Sequence, residues 1–176
     1  MTVEPIAQMI ADRVVDVPDF PKPGIVFKDL TPLFADGEAF RTVIDDIVAR
    51  YAGEFDAVVG IEARGFVLAA AVAYASGTGV VPIRKAGKLP RVAHAVSYAL
   101  EYGEATLEVS EGAFKPGERV LVVDDVLATG GTAVATLDLV ERAGGVVAGL
   151  VVLMELGFLD GRSRLPGREV HALMTV

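Results

Sequence analysis

Apolar runs and helical stripes alternate along most of the chain. Ala57-Val58-Val59-Gly60-Ile61, Val80 to Ile83, Val120 to Val123 and Val146 to Met154 are near-continuous aliphatic stretches. Such runs suit strands buried on both faces of a sheet. Between them, Phe40, Val43, Ile44, Ile47, Val48 and Tyr51 recur at helical spacing, with Gly53 as a stop. An alanine-rich stretch from Phe66 to about Ser76 reads as a second helix. Ala133 to Arg142 reads as a third, with Val134, Leu137 and Val140 inward and Gly144-Gly145 at its end. Ile6, Met9, Ile10 and Val14 follow Pro5, a residue suited to a first turn, and predict an amphipathic helix over 4–14. The alternation predicts an α/β fold, a parallel twisted sheet flanked by helices.

Two regions break the rhythm. Residues 17–34 carry four prolines and a glycine, which argues against a helix and for an extended N-terminal hood. Within it Ile25-Val26-Phe27 forms a small apolar island beside Lys28 and Asp29. Residues 96–109 read as strand, turn and strand with Gly103 at the turn, and Gly167 to Val176 as a final edge strand.

A chain of 176 residues is read as one domain, 1–176, with room for a core. The formal net charge of −8 argues against nucleic acid as a partner. With no cysteine, disulfides and thiolate metal sites are excluded. The N-terminus has no signal-peptide apolar core. The longest apolar run, Ala143 to Met154, falls short of the about 20 residues a bilayer span needs. The reading is a cytoplasmic chain without a membrane partner.

The sharpest chemistry lies in Val120 to Thr132, VLVVDDVLATGGT. A buried strand surfaces at Asp124 and Asp125, and a glycine loop, Val126 to Thr132, feeds a helix. In a parallel sheet that places acids and loop at the carboxyl ends of the strands, where ligands bind. Gly130 and Gly131 let backbone N–H groups close on a phosphate. Thr129 and Thr132 add hydroxyls, and the helix directs its positive end at the anion. Carboxylates are acceptors, so Asp124 and Asp125 suit the vicinal hydroxyls of a ribose. The stretch reads as a ribose-phosphate cradle, the bland alternative being a strand-turn-helix with solvated acids. Neither GxxxxGK(S/T) nor GxGxxG after a strand is present.

Two more loops fall on the same edge. Glu62-Ala63-Arg64-Gly65 follows the first strand, and Arg64 there could reach an anion. Arg84, Lys85, Lys88 and Arg91 put four cations in eight residues of an acidic chain, in a segment (about 84–104) read as a lid bounded by Gly87 and Pro90. His94 lies in it without an identified partner.

FPKPGIVFKDLTPLF, VVGIEARGF, PIRKAGKLPR, SYALEYG, VLVVDDVLATGGT and ELGFLDGR occur in that order. Together they resemble the adenine branch of the type I phosphoribosyltransferase family over nearly the full length. The resemblance implies the type I fold with a hood and a flexible β-hairpin lid. It also implies transfer of a 5-phosphoribosyl group from phosphoribosyl pyrophosphate to adenine, giving AMP and pyrophosphate, with Mg²⁺ and as a homodimer. Carried onto this sequence, Ala128, Thr129, Gly130, Gly131 and Thr132 would hold the 5′-phosphate, and Asp124 and Asp125 the ribose. Arg64, Lys85 and Lys88, with Arg84 less directly, would face pyrophosphate.

Adenine would lie between Phe27 and Leu156, its edge read by backbone around Val26 and Lys28. Tyr102 is counted with the substrate contacts. Glu101 is the candidate acceptor of adenine's proton, and the Mg²⁺ would ride mostly on substrate oxygens and water rather than on a protein metal site. The family further implies a cis peptide at Glu62-Ala63. Lys28 stands where many relatives carry Arg, and the lid interior Val92 to Val96 is more apolar than the resemblance leads one to expect. A related enzyme for another purine, or a non-catalytic ligand sensor, would keep the same cradle.

Overall fold

A computed structural model describes residues 5–99 and 103–176. The first helix, α1, is Ile6–Ala11, shorter than 4–14 because the backbone turns at Asp12. The hood opens as a two-stranded antiparallel ribbon, β1 (Val15–Pro18) with β2 (Val26–Asp29). It then departs from the extended reading: Thr31–Ala35 is a helix, α2. Asp29 accepts from the Thr31 N–H at 3.0 Å and from its hydroxyl at 2.9 Å, which starts the turn. Pro32 sits in the first turn, where its missing N–H costs nothing. Helix α3 (Gly37–Arg50) is capped by Asp36, whose carboxylate accepts from Glu38 N and Ala39 N at 3.1 Å each.

The remaining elements alternate as expected: β3 (Ala57–Ile61), α4 (Arg64–Ser76) and β4 (Gly79–Lys85). A hairpin follows, β5 (Val92–Ala99) and β6 (Glu104–Ser110), then β7 (Arg119–Leu127), α5 (Gly131–Arg142), β8 (Val146–Glu155) and β9 (Val170–Thr175). The sheet order is β5-β6-β4-β3-β7-β8-β9. The five strands from β4 to β9 along that order run parallel. The hairpin is antiparallel and joins the same sheet where Arg84 and Lys85 pair with Glu108 and Leu107. The sheet is therefore mixed, with its parallel part in the centre.

Successive side chains of the central strands supply two cores, as a period of two requires. Val58, Leu121, Val123, Val151 and Leu153 pack under α1 to α4. Val59, Val122, Leu150 and Val152 pack under α5 with Ile83 and Leu107. Gly60 lets α4 close on β3, since a Cβ there would lie 2.7 Å from the Gly65 carbonyl oxygen and 2.8 Å from Ala69 Cβ. Among the described residues, no helix is long and apolar enough to cross a membrane.

Candidate active site

Parallel strands β3, β4, β7 and β8 bring four loops to one edge of the sheet. Strand β7 continues past the two acids to Leu127, because Asp124 and Val126 still pair with Val152 and Met154 of β8. Asp124 and Asp125 are thus held by sheet hydrogen bonding and do not sit on the loop itself. The loop turns at Gly130, whose φ of 82° suits only glycine well, and α5 begins at Gly131. Asp124 and residues 128–132 line one cavity; Glu62, Arg64, Lys85, Tyr98 and Asp125 line a second. Ile61, Asp124 and Thr132 belong to the walls of both, so the two cavities adjoin.

The cradle is backed from outside. A short turn, Gly161 to Arg164, lies behind it, and Gly161 packs directly on the Ala128 carbonyl. Tyr98 of β5 covers its other side. Its ring lies 3.1 Å from where a Cβ on Gly131 would stand, and its hydroxyl accepts from Thr132 Oγ1 at 3.0 Å.

Charge is distributed unevenly. Arg64 Nε lies 2.7 Å from Asp125 Oδ2, an ion pair whose N–H is not aligned as a hydrogen bond; among the described residues no other donor reaches that oxygen. The Arg64 guanidinium also sits 5.1 Å from the Phe27 ring centroid, a cation–π distance that ties the hood to the site. Asp124 has its carboxyl pushed well above 3.8 by burial first and by the Asp125 charge second. Glu62 behaves in the opposite way: the Lys88 ammonium, the Lys85 N–H and Arg84 outweigh burial and hold it down at about 2.

Residues 34–171 match the family model of the phosphoribosyl transferase domain. The chain is 76% identical over 172 residues to the adenine phosphoribosyltransferase of Salinispora tropica, covering 97% of this chain and 91% of that one. The chain belongs to the adenine phosphoribosyltransferase family. Among solved structures, the adenine phosphoribosyltransferase of Thermoanaerobacter pseudethanolicus superposes with a TM-score of 0.92 at 44% identity, covering 97% and 99% of the two chains. That of Saccharomyces cerevisiae, complexed with adenine and an imino-altritol bisphosphate, gives 0.89 at 38% identity over 96% and 98%.

Family membership gives each site residue an expected place, and the structure gathers most of them. Asp124, Asp125, Ala128 to Thr132, Arg64 and Lys85 face the adjoining cavities. The Glu62-Ala63 peptide is cis, as the resemblance implied. Phe27 is met edge-on by Phe20 at 5.2 Å, while Val26 is half-exposed. Lys28 is engaged by Asp16 at 2.7 Å across the β1–β2 ribbon. Leu156, at the end of β8, is partly buried against the core, and its N–H donates to the Leu127 carbonyl. Arg84 and Lys88 turn to Glu62, and Arg84 also lies 5.8 Å over Phe66. Glu101 and Tyr102 lie outside the described residues.

Three residues at the site carry no signal that local sequence reading picks up. Glu62 was visible only as part of a loop, Tyr98 only as a strand residue and Gly161 only within ELGFLDGR. Each acquires its position through a partner at least 22 residues away in sequence.

Proposed function

We propose that the chain transfers the 5-phosphoribosyl group of phosphoribosyl pyrophosphate to adenine, releasing AMP and pyrophosphate, a purine-salvage reaction. The observation that carries this is the adjoining pair of cavities. One is an amide loop at a helix N-terminus; the other holds Asp124, Asp125 and Glu62 beside Arg64 and Lys85, with Arg84 and Lys88 paired to Glu62. The relatives that share the sequence carry the same activity in their names.

The amides of Ala128 to Thr132 hold the 5′-phosphate, and the Thr129 and Thr132 hydroxyls complete its donors, Tyr98 then donating to Thr132 Oγ1 in place of accepting from it. Asp124 and Asp125 accept from the ribose hydroxyls, with Arg64 paired to Asp125 and holding it in place. Displacement at the anomeric carbon builds positive charge on the ribose and negative charge on the departing pyrophosphate. Arg64, Lys85, Lys88 and Arg84 oppose the second, and the carboxylates favour the first. Adenine lies between Phe27 and Leu156, and Glu101 takes its proton.

Among the described residues no group of three or more His, Cys, Asp and Glu side chains could hold a metal ion. Mg²⁺ would be carried by substrate oxygens and water, with Asp124 touching it through water. When bound it supplies charge neutralisation for the pyrophosphate.

The outward face of α4 favours a homodimer. Val67 and Tyr74 are exposed, Tyr74 at 91%, and no charged residue interrupts the helix after Arg64. An apolar stripe of this kind fits a second copy of the chain.

AMP formation from adenine and phosphoribosyl pyrophosphate, with and without Mg²⁺, tests the reaction. Mg²⁺-dependent AMP is the expected product. Turnover of hypoxanthine or guanine in place of adenine would overturn the choice of base.

A further inference from the structure

Glu62 brings a carboxylate to the place where the proposed site needs positive charge. Its side chain is only 9% exposed and stands in the cleft wall with Arg64, Lys85 and Asp125. It gathers three donors. Lys88 Nζ pairs with Oε1, the Lys85 N–H donates to Oε2 at 2.9 Å, and Arg84 Nε lies 3.4 Å from Oε2. An ammonium, a guanidinium and a backbone amide are the surroundings that a phosphoryl oxygen would be given, and here the chain supplies the anion itself.

We infer that Glu62 stands in for pyrophosphate, occupying Lys88 and Arg84 in the free enzyme and setting how much negative charge a ligand must bring to take them. This rests on the pyrophosphate reading of the loop. The physical reason is mutual repulsion. Lys88 cannot grip a phosphate oxygen while paired with Glu62 unless two anions come within a few ångströms of each other. A single phosphate group brings little to offset that contact, whereas pyrophosphate brings several charges over two groups. Once transfer is complete, Glu62 reclaims Lys88 and favours departure of the leaving group. Glu62 is on this reading a specificity-determining residue, since it penalises ligands of low charge.

A carboxylate that merely braces the loop would have the opposite signature. Losing a brace weakens anion binding; losing a competitor strengthens it. Glu62→Gln keeps the shape and an acceptor for the Lys85 N–H but removes the charge.

Calorimetric titration of the wild type and Glu62→Gln with pyrophosphate, and separately with inorganic phosphate, both with Mg²⁺, reads this directly. The variant is expected to bind pyrophosphate about tenfold more tightly, equivalent to about 1.4 kcal/mol. It should also discriminate less between pyrophosphate and phosphate. A pyrophosphate Kd equal to or above that of the wild type overturns the inference. Should the variant not fold, a crystal structure of the wild type with pyrophosphate decides. Lys88 Nζ on a phosphoryl oxygen and beyond about 4 Å from Glu62 is expected. An intact Lys88–Glu62 pair beside bound pyrophosphate refutes the inference and leaves the pyrophosphate reading standing. Pyrophosphate seated away from Lys85 and Lys88 overturns both.

Discussion

Gly161 lies against the carbonyl of Ala128 with no space for a side chain between them. A Cβ on Gly161 would also come within 2.9 Å of Gly130 N, and one on Gly130 would strike the Gly161 carbonyl. Arg162 fixes this turn by donating from Nε to both Glu155 oxygens, at 3.0 and 3.1 Å, and from Nη1 to the Val170 carbonyl at 2.7 Å. The loop from Ala128 to Thr132 thus keeps its shape through a segment about thirty residues further along the chain.

Gly161→Ala should push the loop out of register with a phosphate. AMP affinity is expected to fall about tenfold or more, while adenosine, which lacks the phosphate, loses far less. Calorimetry with both ligands checks this. Equal losses for the two would remove the backing role.

Tyr98→Phe keeps the ring over Gly131 but deletes the hydroxyl that meets Thr132 Oγ1 at 3.0 Å. One hydrogen bond of about 0.5–1.5 kcal/mol predicts a KM for phosphoribosyl pyrophosphate raised about two- to tenfold. The turnover number should change little. The same substitution placed on Thr132→Val should add almost nothing, since the partner is already gone. Additive effects would contradict the pairing.

Asp125→Asn removes the partner of Arg64 and a proposed ribose acceptor together. Neutralising the buried partner of Arg64 removes both contacts at once, so kcat/KM for phosphoribosyl pyrophosphate should drop by about tenfold or more. Steady-state kinetics at saturating adenine gives the value. Normal affinity and turnover would contradict the hydroxyl-binding assignment.

Asp124 gives a pH signature of stability. Its carboxyl is raised above 3.8 on folding, by burial and then by Asp125, so the folded chain holds the proton more tightly than the unfolded chain. That contribution is complete below 3.8 and is lost as pH rises through the raised value. Asp124→Asn should therefore match the wild-type Tm near about pH 3.5 and exceed it near about pH 7, at the expense of activity. Thermal unfolding across pH checks the sign, and a Tm deficit that grows with pH would refute it.

The central sheet and the cradle were legible because each is local. Val120 to Val123 reads as a buried strand, and the paired acids and Gly130-Gly131 that follow it fall within a dozen residues, so their common edge is set by one strand, loop and helix. Helix α2 departs from the extended reading because counting prolines ignores position: Pro32 in a first turn is compatible with a helix that Asp29 initiates. The end of β7 was misplaced because sheet pairing with β8 carries the backbone through the polar residues. Tyr98 and Gly161 could not be found locally, since one reaches the cradle across a hairpin and the other from beyond β8. The Glu62 contacts were equally hidden, as Lys88 could be read only as a cation without its partner.

A crystal structure with AMP tests the central claim most directly. The 5′-phosphate should rest on the amides of Ala128 to Thr132, with the ribose hydroxyls donating to Asp124 and Asp125. A nucleotide bound elsewhere, leaving that loop and those carboxylates untouched, would contradict it.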